Sequence, residues 1–144
     1  MQGEAKHPVS QVTQASTQFT IRPGQPADHA FVYATWLRCY KHSSGFARRI
    51  SDGVFYKFHH EAIRRILERG AALRVCGPDT ETILGYSVSE GGTLHFVYVK
   101  KPFRRCGIAR SLLAPPPLLF THWTKDWDLM LPNYPDAQYC PYLL

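Results

Sequence analysis

Between residues 71 and 99 the chain runs through three short stretches that favour β-strands, each cut from the next by a turn signal. Ala71–Cys76 is apolar and stops at Gly77-Pro78-Asp79. Thr82–Val88 comes next, and Gly91-Gly92 then turns the chain again. The third stretch, Thr93–Val99, is dominated by β-branched and aromatic residues. Turns of this composition join neighbouring strands, so the centre of the chain is predicted to be an antiparallel meander.

The flanking segments carry a helical period instead. Residues 1–18 are polar and aperiodic and are expected to form a disordered tail. Phe19–Arg22 reads as a strand ended by Pro23-Gly24-Gln25-Pro26. Asp28 is placed to cap a helix with Ala30, Phe31, Ala34, Leu37 and Tyr40 on its apolar side, and Lys41–Ser51 is expected to be a loop. Asp52 is placed to cap a second helix, with Phe55, Phe58, Ala62, Ile63 and Ile66 near one face. Glu61 stands four residues before Arg65 in the favourable order, and Gly70 is a stop signal. After the meander, Ile108–Ala114 is helical and Pro115-Pro116-Pro117 ends it. Leu118–Thr124 is predicted to be a last strand. The order β-α-α-β-β-β-α-β is that of an α+β domain, and 144 residues fit one domain, here 19–144.

Composition removes several classes. Hydrophobic residues make up 44% of the chain, enough for a core. No apolar stretch approaches the roughly 20 residues that span a bilayer, and the first residues lack a secretion signal, so a cytoplasmic protein away from membranes is expected. Cys39, Cys76, Cys106 and Cys140 lie far apart with no CxxC pair, and they read as reduced thiols. His59 and His60 are adjacent, which on a helix points them about 100° apart, so no metal site is expected. The net charge of +6 is unevenly spread. Residues 36–70 carry a net +5, and so do residues 100–110, where no acid interrupts Lys100, Lys101, Arg104, Arg105 and Arg110. Charge gathered in this way favours an anionic ligand.

The second basic cluster coincides with a strand, a turn holding one glycine, and a helix start, Val97-Tyr98-Val99-Lys100-Lys101-Pro102-Phe103-Arg104-Arg105-Cys106-Gly107-Ile108-Ala109. Free N–H groups at a helix start, a glycine and two arginines suit a pyrophosphate. Here the sequence resembles the GCN5-related N-acetyltransferase (GNAT) superfamily. Its hallmark Arg/Gln-x-x-Gly-x-Gly/Ala is matched by Arg104-Arg105-Cys106-Gly107-Ile108-Ala109, with Val99 five residues before the arginine and Phe103 directly before it. Leu112 and Leu113 match the apolar pair of the following helix. The resemblance implies a mixed, mainly antiparallel sheet that opens beside Leu94–Val99. It further implies acetyl-CoA as cosubstrate, its pantetheine arm paired with Val97 and Val99 and its pyrophosphate cradled by Arg104, Arg105, Cys106, Gly107, Ile108 and Ala109. The expected reaction is direct attack of a primary amine on the thioester.

His95 is the first candidate for the base, since arylalkylamine N-acetyltransferases of the same superfamily place a histidine at the matching position. Glu90 is the second. Many relatives protonate the CoA thiolate with a tyrosine from a later helix, and Tyr139 is chosen for that role from Tyr134, Tyr139 and Tyr142. His122 and Trp123 are candidate cleft residues. Typical members continue with a full helix and two further strands, whereas Lys125–Leu144 carries three prolines. That shortened end implies either an open acceptor side or a second subunit, in a homodimer, that completes it. Two other readings stand beside acetyl transfer. One is a nucleic-acid-modifying enzyme, with Trp36, Tyr40, Phe46 and Tyr56 as stacking groups near the first basic cluster. The other is a CoA-binding regulatory module without turnover.

Overall fold

A computed structural model describes residues 18–144, so the expected tail lies outside the described residues except for its last position. Six strands, β1 (Thr20–Pro23), β2 (Ala72–Gly77), β3 (Gly85–Glu90), β4 (Thr93–Val99), β5 (Leu119–Phe120) and β6 (Gln138–Tyr139), form one sheet in sequence order. The first four are antiparallel neighbours, as the turn signals require. β5 runs parallel to β4, and β6 parallel to β5. The helices are α1 (His29–Ser43), α2 (Asp52–Glu68), α3 (Ile108–Leu112) and α4 (Lys125–Met130). The predicted α+β order therefore holds through β5, and the chain adds α4 and β6, which the proline-rich end concealed.

The long helices α1 and α2 cover one face of the sheet. Val32, Trp36, Phe55, Ile63 and Ile66 pack there against Val75, Tyr86, Val88 and Phe96. The short α3 covers the other face, where Ile108 and Leu112 meet Cys76 and Leu84. Beyond it Leu94, Leu113, Phe120 and Trp127 close a third cluster.

Several boundaries differ from expectation. α1 runs to Ser43, into the expected loop, and a single 3-10 turn at Ala47–Arg49 follows. Buried Lys41 donates to the carbonyls of Ala47 and Ile50, which folds this segment back onto the helix. α3 ends at Leu112 because Arg74 takes the carbonyls of Leu112 and Ala114 at 2.9 and 3.2 Å, which turns the chain before the prolines. β5 has two residues rather than seven, and its pairing with β4 ends at Leu94. Glu61 pairs with Arg64 rather than Arg65, and Phe58 is 62% exposed. Gly70, at φ +95°, ends α2 as expected: Ala71 N–H bonds Ile66 C=O and Gly70 N–H bonds Leu67 C=O, each at 3.3 Å.

Asp28 precedes α1 but makes no side-chain cap. Its carboxylate accepts from Arg22 Nη1 and Nη2 at 2.8 and 2.9 Å and from the Gln25 N–H at 2.8 Å, tying β1 to the helix start. The Arg22 guanidinium holds this carboxyl below its ordinary range. Asp28→Asn should cost about 2 kcal/mol at pH 7 in chemical denaturation. A pKa depressed by folding stabilises above the unfolded value, about 3.9, and that stability is lost as pH falls through the folded value. Variant and wild type should therefore converge in acid, and equal stability at pH 7 would show that the pair contributes nothing.

Candidate active site

The pairing of β3 with β4 slips by one residue. Val88 faces Phe96 and Ser89 faces Leu94, so His95 is an extra residue in β4, a β-bulge. The slip reverses what the rest of the strand offers its neighbours. Leu94 C=O accepts from Thr121 N–H at 3.1 Å, the last rung between β4 and the β5 side. Simple alternation would then turn Val97 and Val99 towards β3. Instead Lys100 N–H bonds Leu84 C=O at 2.8 Å, so the opposite group of that peptide, Val99 C=O, points away from β3. Val97, two residues earlier in regular register, faces the same way. Beyond Leu94 the sheet is open on that side, and β5 pairs only with Thr93 and Leu94.

At the end of β4 lies the basic turn. Lys101 to Gly107 are all exposed. Arg105 has φ +65° and Gly107 φ +87°, so two residues of the turn are left-handed. A Cβ on Gly107 would meet nothing within 4 Å, so this glycine answers to backbone conformation and an open surface rather than to packing. Arg104 Nε donates to Val99 C=O at 3.0 Å, and the exposed Cys106 Sγ donates to the Arg104 carbonyl at 3.6 Å. Ile108 is buried, Ala109 half-buried. α3 has five residues, fewer than expected, so its dipole is small and any positive potential here comes from the turn amides and side chains.

The bulge also puts His95 on the α1–α2 face beside Phe96, and it is 2% exposed. Both ring nitrogens are engaged: Nε2 with Glu90 Oε1 at 2.6 Å and Nδ1 with Thr121 Oγ1 at 3.0 Å. His95 is therefore brought to the apex of the split but does not face an open space. Glu90 is gripped by Arg69, with contacts of 2.6 to 3.1 Å, at the C-terminal cap of α2. The guanidinium, with help from His95, pushes the Glu90 carboxyl down to about 2. So weak a base is suited to holding His95 rather than to taking a proton.

From Thr121 the contacts continue inward. Its Oγ1 lies 2.8 Å from His122 Nδ1, and His122 Nε2 lies 2.8 Å from His59 Nε2. His122 sits among Trp36, Tyr40 and Phe96. Burial pushes His122 well below the usual imidazole range and His59 to about 4, so both are neutral at pH 7. His59 and Thr121 line a cavity of about 410 Å³ whose other walls include Tyr40, Phe46, Phe58 and Tyr139. Tyr139 thus belongs to β6 and not to a helix, and burial raises its hydroxyl pKa. Trp123 stands outside the chain of contacts, donating to Asp128 at 2.9 Å.

His59 and Thr121 were not among the candidates. The signal for His59 is its place on the apolar stripe of α2, four residues after Phe55 and four before Ile63. Thr121 carried none, since its role depends on where β4 and β5 part. Glu90→Gln should lower the His95 pKa further, because burial lowers it and the carboxylate opposes that effect. An NMR titration of the His95 ring measures this, and a rise would remove Glu90 as its charge partner.

No family model matches the sequence, and no curated protein sequence matches it. Solved structures do resemble it. The apo-form of YjaB from Escherichia coli aligns with a TM-score of 0.51 at 19% identity, covering 68% of this chain and 63% of that one. A GCN5-related N-acetyltransferase from Rhodopseudomonas palustris gives 0.47 at 16% identity, over 67% and 61%. The yncA protein of Salmonella typhimurium, described as a putative acetyltransferase with acetyl-CoA, gives 0.43 at 21%, over 68% and 60%. The chain spans less than two thirds of the length of each. The YjaB likeness, together with a sheet whose β4 is bulged and pairs with a parallel β5 only as far as Leu94, shows that this chain has the fold of the GCN5-related N-acetyltransferases.

Proposed function

We propose that the chain transfers an acetyl group from acetyl-CoA to a primary amine by direct attack of the amine on the thioester. The observation that carries this reading is the open side of β4, where Val97 and Val99 present backbone groups next to a basic, left-handed turn. Alternating donors and acceptors there suit the amides of a pantetheine arm. The amides of Arg105 to Ala109, with the Arg104 and Arg105 side chains, suit the pyrophosphate. Arg104 would exchange its bond to Val99 for one to phosphate. Attack then needs the amine held against the thioester and its proton removed. His95, held by Glu90, takes part in that removal, and Tyr139 is the acid for the departing thiolate.

A nucleic-acid substrate has less in its favour. Trp36 and Tyr40 are buried and cannot stack on bases. In the first basic cluster, Arg64 and Arg69 pair with glutamates and Lys41 is turned inward. A CoA-binding module without turnover differs from an enzyme only in releasing no free thiol.

Isothermal titration should show acetyl-CoA binding, and no heat at millimolar concentration would defeat the proposal. Gly107→Val should weaken that binding at least tenfold, since a branched side chain is strained at φ +87° and stands where the phosphates approach. Unchanged affinity would misplace the phosphates. With an amine that is acetylated, His95→Ala should lower turnover about 10²-fold while leaving acetyl-CoA affinity near wild type.

A further inference from the structure

The contacts at Glu90, His95, Thr121, His122 and His59 form one unbroken line, and chemistry fixes its direction. An ionised carboxylate only accepts hydrogen bonds, so His95 must donate to Glu90 from Nε2. A neutral imidazole has a single N–H, which leaves His95 Nδ1 an acceptor for the Thr121 hydroxyl. That hydroxyl, having spent its proton, accepts from His122 Nδ1. His122 Nε2 is then an acceptor, and His59 must donate to it from Nε2. Every member donates towards Glu90, and the lone pair at the far end is on His59 Nδ1. His59 lines the cavity that Thr121 also borders, and Thr121 makes the last rung before the sheet splits.

From this geometry we propose that His59 is the group that takes the proton of the attacking amine, and that His122, Thr121 and His95 pass it towards Glu90. The proposal rests on the acetyl-transfer reading and extends it to a residue on α2. As the amine nitrogen bonds to the thioester carbon, its proton goes to His59 Nδ1. His59 gives its Nε2 proton to His122 Nε2, His122 gives its Nδ1 proton to Thr121, and Thr121 gives its hydroxyl proton to His95 Nδ1. The added positive charge then rests on His95 as an imidazolium facing the Glu90 carboxylate, rather than in the apolar cavity. Glu90, half-buried and gripped by Arg69, stays ionised as the counter-charge while His95 gives up the added proton to water beside it. His95 is thus a relay and positioning residue, and His59 is the catalytic base.

Two measurements on the full chain test this. Long-range proton–nitrogen NMR of the imidazoles at pH 7 should find the proton on Nε2 of His59, Nδ1 of His122 and Nε2 of His95, and any one of these reversed overturns the proposed order. Turnover with acetyl-CoA and a panel of primary amines is the second. His59→Gln should lower kcat about 10²-fold, with acetyl-CoA affinity unchanged. Thr121→Val, which breaks the line without removing an imidazole, should lower kcat at least tenfold with little change in KM. Thr121→Ser, which keeps the hydroxyl, should restore most of it. Wild-type turnover in Thr121→Val would overturn the relay. If the wild type bound no acetyl-CoA, the acetyl-transfer reading would fall and His59 would lose its role as base, while the spectra would still decide the direction of the line.

Discussion

A single residue too many in β4 governs the arrangement of this molecule. Because strand side chains and backbone groups alternate with a period of two, one extra residue exchanges the faces and edges of everything after it. Here the extra residue is His95. Leu94 before it still bonds to the β5 side and packs beneath with Phe120 and Trp127. Phe96 after it stacks on Trp36 of α1, with ring centroids 5.0 Å apart. The backbone of Val97 and Val99 is left facing an edge that no strand of the described residues fills. The same slip brings His95 inside, where its nitrogens must find partners or burial would be costly. Opening of the sheet and recruitment of Glu90 and Thr121 are therefore two results of one irregularity.

That irregularity explains which parts of the molecule were legible in the sequence. The turn signals at Gly77-Pro78 and Gly91-Gly92 mark the meander correctly, and the stripe Phe55, Ala62, Ile63, Ile66 marks the buried face of α2. Gly107 was recognisable because a positive φ has a residue preference. A bulge has no such marker here: Thr93–Val99 alternates no differently for containing one. Phe58 fits the apolar stripe by spacing, yet it stands at the rim of a cavity, and only the three-dimensional structure distinguishes a rim from a core. β6 and α4 were hidden for another reason. Each is short and held by the sheet or by Trp127 against Phe120, at 4.1 Å between ring centroids, rather than by its own propensity.

The candidate site follows the same division. The basic turn is local in sequence, and the six residues Arg104 to Ala109 carry their own signal. The line of hydrogen bonds is not local, drawing on α2, the end of β3, β4 and the segment after β5. Buried polar groups of this kind are stable only when every member is partnered, so the line is also a constraint on packing. Tyr40 and Phe55 stack on the His59 ring, and Trp36 and Tyr40 meet the His122 ring edge-on. These aromatic walls hold the imidazoles at hydrogen-bond distance.

The open side of β4 is built of main chain, and this has a consequence for how such a molecule can change over evolutionary time. Side-chain substitutions at Val97 or Val99 leave an N–H and a C=O in place, and only proline deletes the donor. A strand edge of that kind imposes almost no requirement on residue identity. The helices α1 and α2, which wall the cavity, can drift and reshape what enters it without disturbing the strand edge. A shape still recognisable at 19% identity, in a sequence that no family model matches, is what such a division of labour leaves behind.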